Sequence, residues 1–421
     1  MSPAGFMSLR PRLPTVRRRR YLSVAAAALT GSVAGCVGTG TGDGDDGAGT
    51  SDDGGDGPSD GERASGGFRV EPVVSGLAYP WAVAPLPDES ALLVTERPGR
   101  LRAVDLETGD AERVEGTPEV FARGQGGLLD AAIHPDYPGE RWVYLTYSTA
   151  DDEGRSTTAL GRGRLDRDGP RLTDFERLHA AEPFVRSSGH FGSRVTFRDG
   201  DVYVSVGDRQ FKDFGPDHTA QYLGTELGTT LRLRPDGSVP VDNPFVDRPG
   251  ARDTVYSYGH RNAQGMAVHP ETGALWQSEF GERDGDEINV VERGGNYGWP
   301  VADNSCEYGS DEPVGDAHDD RSDVVAPAYG WPCGTGGFPP SGTTVYDGRA
   351  FPEWRGDLFV GGLASQYLAR FAVDGHEVEE RASLLADRGW RVRAVAVGPE
   401  TGHLYVAVDA GDAPVVRLRP A

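Results

Sequence analysis

Lysine is almost missing from this chain: Lys212 is the only one in 421 residues, so the 42 basic Lys+Arg positions are otherwise arginine. Against 65 Asp+Glu they leave a formal net charge of −23. A sequence-independent nucleic-acid binder needs a cationic face to displace counterions, and that class is excluded. Cysteine is scarce too. Three residues, Cys36, Cys306 and Cys333, cannot build a disulfide-dense scaffold or a four-cysteine zinc site. Apart from one stretch near the amino terminus, no segment approaches the ~18 to 20 apolar residues a membrane-spanning helix requires, so the folded part is expected to be soluble. Helical patterns between strands are also lacking, which argues against a parallel α/β fold.

Acidic residues spread over every region, with arginine in place of lysine, fit a protein kept dispersed in high salt, where charge repulsion is screened within a few Å. Glycine (60) and proline (30) are abundant and suit a turn-rich all-β chain.

The amino terminus reads as an address. Arg17 to Arg20 precede Tyr21-Leu22 and a short apolar run from Ser23 to Ala34, a basic head and an apolar segment too short to span. The paired arginines resemble a twin-arginine export signal, and Val33-Ala34-Gly35-Cys36 resembles a lipobox whose cysteine is lipidated after cleavage. This predicts a signal peptide over 1–35, a lipid-anchored Cys36 on the extracellular face of the membrane, and a flexible Gly/Asp/Ser tether over 36–67. Such a tether buries too little apolar surface to offset its ordering entropy. In an exported protein Cys306 and Cys333 are read as a disulfide pinning the loop between them, with two free thiols or a metal pair as competing readings.

Internal repetition organises the rest. Six segments share one grammar: a small or polar start, a short alternating strand, a turn on Pro or Asp with Gly, then a strand rich in Val, Leu, Tyr and Trp. They begin near Pro80, Gly127, His190, Asn262, Pro340 and Val392. Residues 68–421 shared over six units leave about 60 each, room for four short strands, which is one blade of a propeller. The fold expected is all-β, a six-bladed β-propeller, with each unit's first strand lining a central channel.

Residues opening those first strands then converge at one mouth of the axis: Gln125, His190, Arg261 with Asn262, and Arg391 with Arg393. One imidazole suits acid-base chemistry near neutral pH, and three guanidinium groups suit a planar anion. Each has a bland competitor: His190 as a loop histidine, the arginines as structural partners of acids, Asn262 as a turn cap. His134 and His269 occupy the same turn slot in two units and are assigned to the fold. The loop Glu279–Asn289 followed by Gly294–Pro300 offers dense oxygen donors for Ca²⁺, with a solvated acidic loop as the alternative.

The segments YGHRNAQGMA (258–267), SEFGERDGDEIN (278–289) and GGNYGWP (294–300) together resemble the soluble quinoprotein sugar dehydrogenases, the glucose and sorbosone dehydrogenase family. GQGGLLDAAIHPDY (124–137), HFGSRVTF (190–197) and RVRAVAVGPETG (391–402) fit as well. The resemblance implies pyrroloquinoline quinone (PQQ) and Ca²⁺ at the channel mouth and oxidation of the C1 hydroxyl of aldoses to lactones. It casts His190 as general base and Arg261 as the group polarising the quinone carbonyl. Asn262, Arg391 and Arg393 would hold the cofactor, Gln125 would stand at the sugar, and the carbonyls of Gly281 and Glu282 would reach calcium. An electron acceptor on or near the membrane would complete turnover. Two departures stand out: a lysine some members place at the quinone has no counterpart near Ala364, and the family's Gly-Pro at calcium is here Gly281-Glu282. The sugar-side loop 330–342 has no clean match. Competing functions are a calcium-dependent lactonase-type hydrolase and a non-catalytic surface module binding a glycan or protein.

Overall fold

The computed structural model describes residues 67–166 and 169–421; the predicted export signal, Cys36 and nearly all of the tether lie outside the described residues. Each repeat folds as one four-stranded antiparallel sheet, six in all. The chain enters through β1 (Phe68–Leu77). Blade one is β2 (Pro80–Pro85), β3 (Ala91–Glu96), β4 (Arg100–Asp105) and β5 (Ala111–Val114); blade two is β6 (Leu128–Ile133), β7 (Trp142–Ala150), β8 (Ser156–Asp166) and β9 (Arg171–Ala180). Blade three is β10 (Val195–Arg198), β11 (Asp201–Val206), β12 (Thr229–Leu233) and β13 (Val255–Tyr258); blade four is β14 (Ala263–Val268), β15 (Leu275–Glu279), β16 (Asp286–Val290) and β17 (Tyr329–Trp331). Blade five is β18 (Pro340–Val345), β19 (Leu358–Gly362), β20 (Leu368–Asp374) and β21 (Glu377–Leu384). Blade six takes β22 (Val392–Val397), β23 (Leu404–Val408) and β24 (Ala413–Pro420) from the carboxyl terminus and β1 as its outer strand, in the order β1-β24-β23-β22. The architecture is a six-bladed β-propeller.

The inner strands β2, β6, β10, β14, β18 and β22 contact one another in sequence around the ring, and β22 returns to β2. Second strands carry the apolar runs for a physical reason: blades pack face to face, so β11, β15, β19 and β23 are buried on both sides along their whole length. The core is therefore six wedges rather than one centre. Leu93 and Leu145 join blades one and two; Tyr144 and Val204 join two and three; Tyr203 and Met266 join three and four. Trp276 and Phe371 join four and five; Phe359 and Val406 join five and six; Tyr405 and Val94 close six onto one. Each fully buried Leu, Val or Phe contributes about 1.5–3 kcal/mol of transfer free energy, so ring closure rests on these contacts more than on surface ion pairs.

His134 and His269 lie at the far ends of β6 and β14, where each ring Nδ1 accepts from the backbone N–H two residues on, at 3.2 Å in both. Cys306 and Cys333 form a disulfide with Cα atoms 5.5 Å apart.

Candidate functional site

Because first and second strands are antiparallel, the start of one and the end of the next lie at the same mouth. In blade three that places the loop before β10 beside the residues after β11. His190 sits in this loop in the left-handed region (φ 45°), a costly conformation for a non-glycine residue that the surroundings must enforce. Its backbone N–H donates to Gln125 Oε1 at 2.7 Å, and its Nδ1 lies 2.7 Å from Asp208 Oδ1. Asp208 is fixed from several sides: Oδ1 also accepts from Gln210 N (2.9 Å), Oδ2 accepts from Trp299 Nε1 (2.8 Å), and its own N–H donates to Arg261 O (2.8 Å). A side chain at Gly207 would strike His190 O, with an ideal Cβ only 2.2 Å away, so this close approach requires glycine.

The electrostatics follow. Burial pulls the His190 imidazole below the usual histidine range, Asp208 opposes this, and Arg261 adds to it. Burial alone would raise Asp208, but its interaction with His190, the Arg261 charge and the Gln210 N–H together outweigh it and keep the carboxylate ionised. The result is a neutral imidazole with Nδ1–H donating to a carboxylate. Its Nε2 has no protein partner among the described residues.

Arg261 is 6 % exposed, lies 5.1 Å from the Trp299 ring centroid and donates through Nη2 to Glu282 at 2.6 Å. Its Nε is buried with no protein partner among the described residues. Asn262 Oδ1 accepts from Gly192 N at 3.1 Å, tying β14 to the His190 loop. Gln125, His190, Arg261 and Asn262 thus form one cluster. Arg393 joins it through Gln264, whose Oε1 accepts from Nη1 at 2.7 Å, while Nη2 reaches Asp409 at 2.7 Å. Burial lowers this guanidinium and Asp409 compensates, so Arg393 is an internally neutralised group with only Nε unpartnered among the described residues. Arg391 stands on the rim, half exposed, 3.5 Å from the same Asp409. Below the mouth, Arg194 closes the channel: its guanidinium lies 4.0 Å from the Trp81 ring centroid and donates to Asp130 (3.1 Å) and Arg393 O (3.0 Å).

Gly281 and Glu282 lie on the loop after β15. Gly281 N donates to Asp286 Oδ1 at 3.1 Å, and burial pushes Asp286 up to about 6. The Glu282 carboxylate, rather than its carbonyl, is the visible feature: 3 % exposed, it accepts from both Arg261 and Lys212. Ala364 is an exposed residue just beyond β19. The chain's one lysine therefore reaches the site from the loop between β11 and β12.

Sequence reasoning missed several residues. Asp208 carried a usable signal, since "GD" ends the second strand of unit three where His190 begins the unit. Arg209, fully buried, stacks 3.5 Å from the Phe191 ring centroid; burial lowers it to about 9, and Nε and Nη1 have no partner among the described residues. Glu287 and Asp303 line a cavity of about 10 Å³ together with Glu279 and Tyr297. Burial first, then mutual repulsion with Asp303 and Glu279, raises Glu287 well above the carboxylate range; burial pushes Asp303 to about 7. Glu287 Oε1 and Ser305 Oγ are buried without a hydrogen-bond partner among the described residues, although Glu287 Oε1 lies 3.8 Å from His318 Nε2. Arg261, Phe280 and Trp299 line the same cavity, and no group of three or more His, Cys, Asp or Glu side chains placed to hold a metal ion lies among the described residues.

Fold and site together define a propeller with a carboxylate-oriented histidine among arginines at its axial mouth. The chain belongs to the glucose/sorbosone dehydrogenase family of quinoprotein sugar oxidoreductases, whose profile, described as Glucose / Sorbosone dehydrogenase, matches residues 77–417. It is 38 % identical over 356 residues to aldose sugar dehydrogenase YliI of Escherichia coli K12, covering 83 % of this chain and 92 % of that one. The crystal structure of the soluble E. coli aldose sugar dehydrogenase in the apo-form superposes with TM-score 0.79 at 36 % identity, covering 84 % of this chain and all of that one. The PQQ-bound aldose sugar dehydrogenase of Streptomyces coelicolor superposes with TM-score 0.68 at 28 % identity, covering 84 % and 98 % of the two chains.

Proposed function

We propose that this protein oxidises the C1 hydroxyl of aldose sugars to lactones, with PQQ and Ca²⁺ as cofactors and His190 as general base. The observation that carries the reading is the buried His190–Asp208 pair at 2.7 Å, which leaves a neutral Nε2 without a protein partner beside Arg261. Nε2 takes the sugar hydroxyl proton; Asp208 holds the tautomer and neutralises the imidazolium that results. Arg261 supplies positive charge where negative charge develops, an effect worth about 10² or more in rate for one such donor. Asn262 holds the His190 loop in place through Gly192, and Gln125 fixes the His190 backbone. When bound, PQQ supplies the two-electron acceptor for the C1 hydride. The unpartnered Nε groups of Arg261 and Arg393 fit an anionic, carbonyl-bearing group of that kind, and the carbonyls of Gly281 and Glu282 would hold calcium. Arg391 would meet the ligand from the rim.

The amino-terminal pattern supports export, a lipid anchor at Cys36 and an electron acceptor on or near the membrane, and the acidic, lysine-poor composition supports work in high salt. The test is reconstitution with PQQ and Ca²⁺ in molar salt, following dye reduction with a panel of aldoses. Reduction with at least one aldose, dependent on both additions, is expected; turnover of a lactone without quinone would instead favour the hydrolase. In the same preparation, Cys36→Ser protein should leave the membrane fraction for the medium, and unchanged sedimentation with membranes would remove the anchor.

A further inference from the structure

The Lys212 side chain and the Glu282 carboxylate are left unused by the mechanism above, yet they form an ion pair at the mouth. The Glu282 carboxylate is shared: one oxygen meets Arg261 Nη2 at 2.6 Å and the other meets the Lys212 ammonium. Two cations and one anion leave this trio with a surplus positive charge. The three members differ in freedom. Arg261 and Glu282 side chains are 7 % and 3 % exposed, so neither can lose its partner without leaving a charge stranded in a poorly hydrated place. Lys212 is 53 % exposed, on a flexible stem between the aromatic rings of Phe214 and Tyr308, at 5.5 and 5.7 Å. An ammonium so placed can leave Glu282 for another anion at little cost, because Arg261 continues to neutralise Glu282. Its charge also acts on His190.

We propose that Lys212 is a cofactor-positioning cation: Glu282 holds it in the empty protein, and a carboxylate of the quinone cofactor takes Glu282's place when the cofactor binds. This rests on the function proposed above and adds a residue and an exchange to it. Lys212 supplies from blade three the movable positive charge of the site, while Arg261 supplies the fixed one.

A single lysine makes the test direct. The full chain in molar salt is acylated with a water-soluble N-hydroxysuccinimide ester of acetate, and labelling of the Lys212 peptide is followed by mass spectrometry. The runs are made alone, with PQQ and Ca²⁺, with Ca²⁺ only and with an aldose only, while equilibrium dialysis reports bound PQQ. Bound PQQ should slow Lys212 labelling about tenfold, and Lys212→Ala should weaken PQQ binding by a similar factor, as loss of one charge-assisted hydrogen bond would. Lys212→Arg should recover most of that affinity. Glu282→Gln should move the other way, tightening PQQ and speeding labelling of the empty protein. A lysine that only braced the loop would lower the thermal midpoint in both variants and give no opposition of sign. PQQ bound with Lys212 labelled at the unprotected rate overturns this inference alone; protection by the aldose without PQQ reassigns Lys212 to the substrate and overturns it too. Failure of the wild-type chain to bind PQQ at all removes the cofactor reading with it.

Discussion

At the residue scale, the proposed chemistry turns on one pair. His190→Ala is expected to lower kcat/KM by about 10² to 10⁴, the usual worth of a positioned general base. Asp208→Asn keeps the shape but loses the charge that holds Nδ1–H, so a loss of similar order is expected with PQQ affinity nearly unchanged. In the proposed reaction the neutral form of His190 is the base, and burial lowers its pKa, so activity is expected to rise with pH through that pKa and to be level above it. The acid limb of kcat/KM should fall below the ordinary histidine value of about 6.5. A limb at pH 7 or higher would show that another group limits the reaction. The imidazole at position 190 was legible in the sequence from its place opening a unit. Its partner was not, because Asp208 is joined to it by strand pairing rather than by spacing along the chain.

At the element scale, the mouth is built from loop pairs, and second strands repeatedly deliver a carboxylate to it. Glu96 ends β3, Glu279 ends β15, and Asp208 and Asp409 follow β11 and β23; the first three are buried, Asp409 is nearly so, and all four bond to groups near their own blade's entrance. Strand β16 adds Glu287, and the long connection after it adds Asp303. Their raised values mean that near neutral pH the native state holds protons the unfolded chain has released. The contribution of Asp303 to stability is present at about pH 4 and is lost as pH rises through about 7, and Glu287 shifts in the same direction. The thermal midpoint should therefore fall between about pH 5 and pH 8. Asp303→Asn should abolish most of that fall; an equally steep fall in the variant would show that other groups carry it. The acidic loop was visible in the sequence as dense oxygen donors. Which acids lie together in the interior depended on GGNYGWP folding over it, with Tyr297 and Trp299 as its lid.

At the scale of the whole molecule, the ring is held shut by β1, which pairs with β24 from Phe68 opposite Pro420 to Leu77 opposite Ala413. Two kinds of contact hold it. Phe68 is 5 % exposed and edge-on to Trp354, with centroids 6.1 Å apart, whereas Glu71 pairs with Arg417 and Arg419 in partly exposed positions. Phe68→Ala should cost about 3–5 kcal/mol in chemical denaturation. Glu71→Ala should cost only about 0–1 kcal/mol, because exposed ion pairs lose most of their attraction to water. Equal effects would mean that charge closes the ring.

The sequence by itself determined the blade count, the rhythm of inner and buried second strands, and the histidine and arginines at the axis. All of these follow from local pattern: periods of two within strands and a repeat near sixty along the chain. Tertiary structure alone decided which charges neutralise one another. It joined Asp208 to His190, Asp409 to Arg393, and Glu282 to both Arg261 and the lone lysine. Those pairings depend on distances of a few Å between segments far apart in the chain, and Coulomb energy in a poorly hydrated mouth is set by such distances.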